Sequence, residues 1–575
     1  MFHIIKQFSL SKISLFSRRQ RLIKLQTINE GNPLLFFYAV NELICYIYSM
    51  KNLLLLFVFT QFICVFIQGQ IVGLDVKKYR IELAVSDSSN EIVVSQQIDF
   101  MWAKSTGALF PVFNLIQNKS AKKGMLVSSI TQGGKPITFL QRNDSLYLKN
   151  ITLSKEDFYS IQICFSGIPL DGLVIGENKY GSRTMFGDNW PNRAQNWFVC
   201  HDHPSDKALV DFIVTAPKHY EVVANGKLIR KTEGPNVNTV EYTSSVPLST
   251  KIMVVGIAEM KIKEQRNKDD VALYSCVYPE NEKEGFYDFD LAPAILAFYS
   301  AYFSPYEYEK LANVQSTTRF GGMENAGCIF YDENSINGTR SCENLIAHEI
   351  VHQWFGNSAT ESDWPHIWLS EGFATYFTNY YIQQTKGQAP FLRQMKQDRD
   401  KVIRFNNSYK HPLVDNTYDN LMDLLNPNSY QKGGWVLHML RRKIGDEKFH
   451  ETIKAYYQKY RLGIASSEDF ASIAIQLNPT ANLQVFFNQW LHQVGHPILK
   501  IEHKIDSKDL NIQFSQVQLP LFTFPISVDI LFHDGSHTIE TIEISEKQSK
   551  WQKHFDKAIK LIEIDPRVEL LFELK

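Results

Sequence analysis

"HEIVHQWFGN", His348 to Asn357, carries two histidines four residues apart with a glutamate directly after the first. On a helix, residues at i and i+4 share a face with their Cβ atoms about 5–6 Å apart, so both imidazoles can reach one metal ion. Glu349 lies about 100° round the helix from His348. It is poorly placed as a third ligand but can reach a water beside the metal. That is the geometry of H-E-x-x-H, with two metal ligands and a general base on one helical turn. So short a pattern recurs by chance, and the flanking sequence has to decide its meaning.

The flanks supply a helix and a third ligand. Ser341 can cap the helix, Glu343 sits in its first turn and Gly356 can end it. Leu345, Ile346, Ile350 and Val351 form its apolar side. After a break at Asp363-Trp364-Pro365, "WLSEGFATYF" starts a second helix with Ser370 as candidate cap. Residues 353 to 370, eighteen in number, separate His352 from Glu371. A carboxylate on a neighbouring antiparallel helix completes a His₂Glu set and leaves a fourth position for water, as catalytic zinc requires. Glu371 alone would read equally well as a first-turn acid favoured by the helix dipole.

Around this pair of helices the chain resembles the gluzincin zinc metallo-aminopeptidases, the family of alanyl and leucyl aminopeptidases and the leukotriene hydrolase. The carrying residues are H-E-x-x-H, the eighteen-residue gap and Glu371 inside W-L-x-E-G-F-A-x-Y. Upstream stands Gly321-Gly322-Met323-Glu324-Asn325, similar to the family's G-x-M-E-N, and downstream Tyr430 in "SYQKGGWVLHML". "NRAQNWFVCHDHPSDKALVDF" is similar to the family's R-x-x-x-P-C-x-D-x-P-x-x-K-A stretch. The match runs from about Leu74 to His496.

The resemblance implies one Zn²⁺ per chain, held by His348, His352 and Glu371, with Glu349 as catalytic base and Tyr430 as oxyanion donor. It implies that Glu324 binds the substrate's α-ammonium and that Gly321, Gly322, Met323 and Asn325 line the extended substrate. The family usually adds a second Glu or Gln in a T-Q-x-[EQ] stretch of the β domain. Here the stretch reads "TMFGDNWP", and that position falls on Gly187 or Asp188; Asp188 is the candidate. The expected reaction is hydrolysis of the N-terminal bond of peptides with a free N-terminus. Hydrolysis of a lipid epoxide on the same metal site is an alternative and would need a long apolar pocket. A catalytically inactive peptide-binding or adhesive relative is another, against which stands the presence of every zinc, base and tyrosine position. The family's large C-terminal helical domain has no counterpart here, which implies a more open cleft or one closed by another subunit.

Composition sets the outer bounds. The 575 residues are 44% hydrophobic and 21% charged, which is globular and long enough for several domains. Lys+Arg 60 against Asp+Glu 61 gives a formal charge of −1, with no whole-chain electrostatic case for nucleic acid or an anionic membrane. "MKNLLLLFVFTQFICVFIQGQ" from Met50 suits a secretory signal over 50–70, cleaved near Gly69 or Gln70, with 1–49 an upstream extension. The competing reading keeps residues 53–67 as a membrane anchor. Export to the periplasm or outside the cell is therefore expected. Cys164, Cys200, Cys276, Cys328 and Cys342 remain, an odd number, so at least one thiol is free or intermolecular.

Hydrophobic periodicity divides the rest. Alternating runs such as "YRIELAV", "EIVVSQQIDF" and "LVDFIVTA" mark a β domain over 71–262, of saddle or sandwich type. From Phe286 helical patterns dominate, marking a thermolysin-like, mainly helical catalytic domain over 263–496. Alternation returns in "ILKIEHKI" and "FPISVDILF", a small β-sandwich over 497–575. The expected fold class is multidomain α+β.

Overall fold

Alternation builds the first layer. In Leu74–Ala84 the residues Val76, Tyr79, Ile81 and Leu83 are buried while Lys77, Glu82 and Ala84 face solvent, the pattern of a strand with one wet face. A computed structural model describes residues 73–102, 111–118, 123–152 and 158–575. The expected upstream extension, signal segment and cleavage site lie outside these residues. Leu74–Ala84 pairs antiparallel with Ile92–Trp102, Tyr79 opposite Ile98, and parallel with Lys207–Pro217, Tyr79 opposite Val210. These strands form the middle of a ten-stranded sheet, counted among the described residues. A four-stranded sheet follows, built from Leu173–Glu177, Arg183–Gly187, Val255–Ala258 and Glu221–Ala224.

A five-stranded mixed sheet then carries the chain to the catalytic helices. Ala272–Val277, Lys310–Ser316 and Cys328–Asp332 run parallel as neighbours. All seven residues of Lys310–Ser316 are buried, as expected for a strand covered on both faces. Gly322–Met323 pairs antiparallel with Cys328–Asp332, Gly322 opposite Tyr331, and ends the strand order. Its other edge is unpaired within the sheet.

Among the described residues the helices are α1 (Glu282–Phe289), α2 (Ala292–Tyr302), α3 (Glu343–Val351), α4 (Trp368–Lys386), α5 (Gln388–Ser408), α6 (Gly433–Ile444), α7 (Asp446–Tyr460), α8 (Ser467–Leu477) and α9 (Leu483–His492). A single π turn, Asn428–Lys432, leads into α6. The β-rich N-terminal part, the helical-plus-sheet middle and their order agree with the sequence reading. Two caps do not. The N-cap of α3 is Cys342, with no side-chain capping bond, and the Ser341 hydroxyl instead accepts from Thr339 Oγ1 at 2.9 Å. A 3₁₀ turn over Trp364–His366, capped by Asp363, starts the second helix early. Ser370 therefore falls inside α4 and is buried rather than capping it. Gly356 lies in the turn after α3, which ends at Val351.

After α9, two further sheets form. One holds Gln548–His554, Asp509–Gln516, Ile498–Asp506 and Glu573–Leu574; the other His537–Ile544, Phe524–Phe532 and Ile559–Ile564. Leu510, Phe514, Val528 and Ile544 from the two sheets belong to the same apolar cluster as Trp435 and Trp490 of the helices. Phe186 and Val254 of the β layer share another cluster with Met323, Phe330 and Trp364, so the edge strand is wedged against the N-terminal part. The five cysteines among the described residues are unpaired. No described helix is long and apolar enough to cross a membrane.

Candidate active site

His348 and His352, one turn apart on α3 and at its end, bring their Nε2 atoms to 3.2 Å. Glu371, in the first turn of α4, sets Oε2 at 3.4 Å from one and 3.3 Å from the other. These three ligand atoms lie within 4.8 Å of one another. His352 Nδ1 is 3.1 Å from the Phe355 carbonyl, which can only accept, so Nδ1 carries a proton and Nε2 is the ring nitrogen turned towards the other two ligand residues. Ser370 Oγ, 3.1 Å from the same Nδ1, steadies the ring. The uncapped Ser370 thus has a use at the site that its place in the sequence hid.

Three lone-pair donors aimed at one point repel one another unless a cation sits between them. The ionisation of the group reflects this. Burial works against charge on His352, but Glu371, Glu324 and Glu349 more than offset it and hold its pKa up at about 9. Burial would raise Glu371, yet His352 and His348 hold it below the usual carboxylate range. Burial lowers His348. The donor set, two imidazoles and one carboxylate, fits tetrahedral zinc with one position open.

Glu349 is buried, and burial pushes its carboxyl well above the usual range, with His352 opposing and Glu324 and Glu371 adding to the rise. The Gly322 backbone presses directly on it: a Cβ there would lie 2.3 Å from Glu349 Oε1. Only glycine lets the edge strand approach the base so closely. Tyr430 sits in the π turn with its ring stacked on His348, centroids 6.1 Å apart. Burial raises its hydroxyl well above the ordinary value, with Glu371, Glu324 and Glu349 adding to it, so the phenol stays protonated. Its helix comes this near Glu371 because Gly372 and Gly433 touch, a Cβ on Gly372 meeting Gly433 Cα at 2.8 Å. π turns are frequent at functional positions, and no periodicity in "SYQKGG" signals one.

Glu324 follows the edge strand and is buried, with Oε1 unpartnered. Burial raises its carboxyl, His352 opposes and Glu371 adds to the rise. Its main chain is pinned to α3 and the following turn: the Glu324 carbonyl accepts from Gln353 Nε2 at 2.9 Å and from Asn357 Nδ2 at 2.6 Å. Asn325 is fully buried with both side-chain polar atoms unpartnered. Lys207 of the N-terminal layer holds the carbonyls of Asn357 and Ser358 at 3.0 and 2.8 Å. A buried Lys251–Glu361 pair, whose positive end bears on Glu324, completes the surroundings. Sequence reasoning missed Gln353, Asn357 and this pair; the first two were visible as polar residues interrupting an apolar run.

Asp188 differs from expectation. It is fully buried, and its Oδ1 accepts from Arg193 Nη2 at 2.5 Å. Its Oδ2 faces Arg319 Nε at 3.5 Å and accepts from Thr318 Oγ1 and the Arg319 amide, both at 3.4 Å. Asp171 reaches the same two arginines. Both oxygens are engaged by donors of the chain itself, which corrects the reading of Asp188 as a free ammonium acceptor. It ties Thr318 and Arg319, just ahead of the edge strand, to the N-terminal layer. Gly187, the alternative position, has no side chain to offer, and a Cβ there would lie 2.9 Å from Val254.

Comparison with known proteins agrees with this geometry. Residues 287–490 match the peptidase family M1 domain and residues 76–252 the peptidase M1 N-terminal domain. The tricorn protease-interacting factor F2 of Thermoplasma volcanium is 29% identical over 371 residues, 61% of this chain and 46% of that protein. Human glutamyl aminopeptidase is 26% identical over 371 residues, 60% of this chain and 39% of that protein. Aminopeptidase M1-C of rice is 27% identical over 368 residues, 59% and 41% of the two chains. The matched part spans less than half the length of these relatives. The two family matches include both regions that build the site, the N-terminal layer holding Asp188 and Lys207 and the helices holding His348, His352 and Glu371. By these two matches, in the order the fold requires, the chain belongs to peptidase family M1.

Proposed function

We propose that the protein is a zinc-dependent aminopeptidase that removes the N-terminal residue of peptides. The observation that carries this reading is the convergence of His348, His352 and Glu371 beside an open-edged strand that Glu324 directly follows. That several relatives are named aminopeptidases supports it. In the same reading the middle of the chain is a thermolysin-like catalytic domain over 263–496, flanked by a β domain over 71–262 and a small β-sandwich over 497–575. The leader-like segment from Met50 supports export.

His348, His352 and Glu371 would hold the ion. When bound, zinc supplies Lewis acidity, lowering the pKa of water towards about 7 and polarising a carbonyl. The residues of the chain do the rest. The substrate's first residues extend along Gly321–Met323 and complete the open edge of the sheet. The Glu324 carboxylate accepts from the α-ammonium and so fixes which carbonyl meets the site. Glu349 takes the proton of the attacking water and passes it to the departing nitrogen. Tyr430, held protonated by burial, donates to the oxygen that gains charge in the tetrahedral transition state. Asp188 is assigned to holding the strand, which leaves Glu324 as the ammonium acceptor.

The test compares one peptide with a free and an acetylated N-terminus, each with and without chelator. Cleavage of the free form alone, lost with chelator and regained with zinc, is expected. Equal cleavage of both forms would mean that the N-terminus is not read, and full activity after metal removal would end the zinc reading.

A further inference from the structure

A cavity of about 410 Å³ opens beside α3, lined by His348 and Glu349 of that helix and by residues of α4 and α5. Tyr430 and Gly322 border it, whereas Glu324 does not line it. With the ammonium at Glu324 and the scissile carbonyl at the triad, the departing nitrogen must face Glu349. The chain beyond the cleaved bond therefore leaves through this cavity. We propose that the cavity receives the side chain of the substrate's second residue and that Asp398 selects a cationic one, lysine or arginine. This rests on the aminopeptidase reading and adds a preference to it.

Asp398, on α5, lines the cavity yet is only 2% exposed. Asn379 Nδ2 donates to its Oδ2 at 2.9 Å and Gln394 Nε2 to its Oδ1 at 3.1 Å, and both amides also line the cavity. The carboxylate is thus oriented by neutral donors and keeps its charge uncancelled by them. Its cationic neighbour among the described residues, Lys401, is 3.5 Å away with its side chain 48% exposed. A contact so long and so wet contributes little and is displaceable. Lys401 is half exposed, so the buried Asp398 carboxylate is the better-placed charge in the wall. A substrate cation entering here gains a charge-assisted bond to a carboxylate already held in place. An acidic side chain meets like charge, and an apolar one strips water from Asp398 without replacing it.

The experiment measures kcat/KM for tetrapeptides Ala-Xaa-Ala-Ala with Xaa lysine, norleucine or glutamate. Lysine should exceed norleucine by about tenfold, the scale of one charge-assisted contact, with glutamate poorest. Asp398→Asn should bring the lysine-to-norleucine ratio close to one. Lys401→Met, which removes the competing cation, should raise that ratio instead. Loss of fold lowers every substrate together and cannot move the ratio in opposite directions in two variants. Equal use of the three peptides by the wild type, or a lysine preference that survives Asp398→Asn, would overturn the proposal and leave the aminopeptidase reading intact. Failure to cleave any peptide with a free N-terminus would overturn both.

Discussion

Glu324 and Asp188 are buried carboxylates that meet the 318–324 stretch at its two ends, Asp188 by contact with Thr318 and Arg319, and they differ in what surrounds them. Asp188 is enclosed by two guanidinium groups, a hydroxyl and an amide of its own chain. Glu324 has an unpartnered oxygen, and unpartnered buried atoms of Asn325, Asn357 and Glu361 belong to the same surroundings. A buried polar group without a partner costs free energy. One end of the stretch is a finished joint and the other is left incomplete until something polar arrives. An acidic residue near a cleft is therefore a ligand-binding candidate only if its own chain has not already satisfied it.

The comparison is open to attack from its strongest side first. Glu349→Gln should retain zinc by metal analysis and lose roughly 10⁴-fold in kcat, the upper range for general acid–base catalysis. His348→Ala or His352→Ala should lose metal and activity together, since each removes one of three protein ligands. Tyr430→Phe should lower kcat by roughly 10²–10³ with KM little changed, the usual scale for one oxyanion donor. A change mainly in KM would reassign Tyr430 to the pocket wall.

At the incomplete end, Glu324→Ala should lower kcat/KM about 10²-fold with zinc still bound, because the ammonium loses its partner and the carbonyl its register. At the finished end, Asp188→Asn should leave the preference for free over acetylated peptide intact. Its effect should appear in chemical denaturation, as a loss of about 3 kcal/mol, the lower range for breaking a buried ion pair. The low figure follows because Arg193 retains Asp171 and Arg319 is half exposed. Loss of the free-peptide preference in Asp188→Asn would erase the difference between the two ends.

What was legible in the sequence was local or periodic. His348, His352 and Glu371 declare themselves because their spacing is a helical repeat followed by a short connection. The β, helical, β order follows from alternation and from 3.6-residue patterning. The unreadable parts depend on residues far apart in the chain. Asp188 meets Arg319 across 131 positions, and Lys251 meets Glu361 across 110, so neither acid could be recognised as already paired. Ser341 and Ser370 looked like caps because a hydroxyl before an apolar run suits a cap. Which hydroxyl is used depends on where the preceding turn starts, and the 3₁₀ turn at Trp364 moved that start. The contact of Gly322 with Glu349 left no mark beyond a pair of glycines.

The edge strand Gly322–Met323 has a consequence for the protein's life among other chains. An open sheet edge is an invitation to pairing by strangers, and long exposed edges nucleate aggregates. Here the edge is two residues long, with Met323 buried and Gly322 half-buried. That is too short to hold a passing strand from another folded protein. If the protein acts as proposed, admission is decided by disorder in the visitor: a chain end free to lie flat along the strand can dock, and intact folded neighbours are spared.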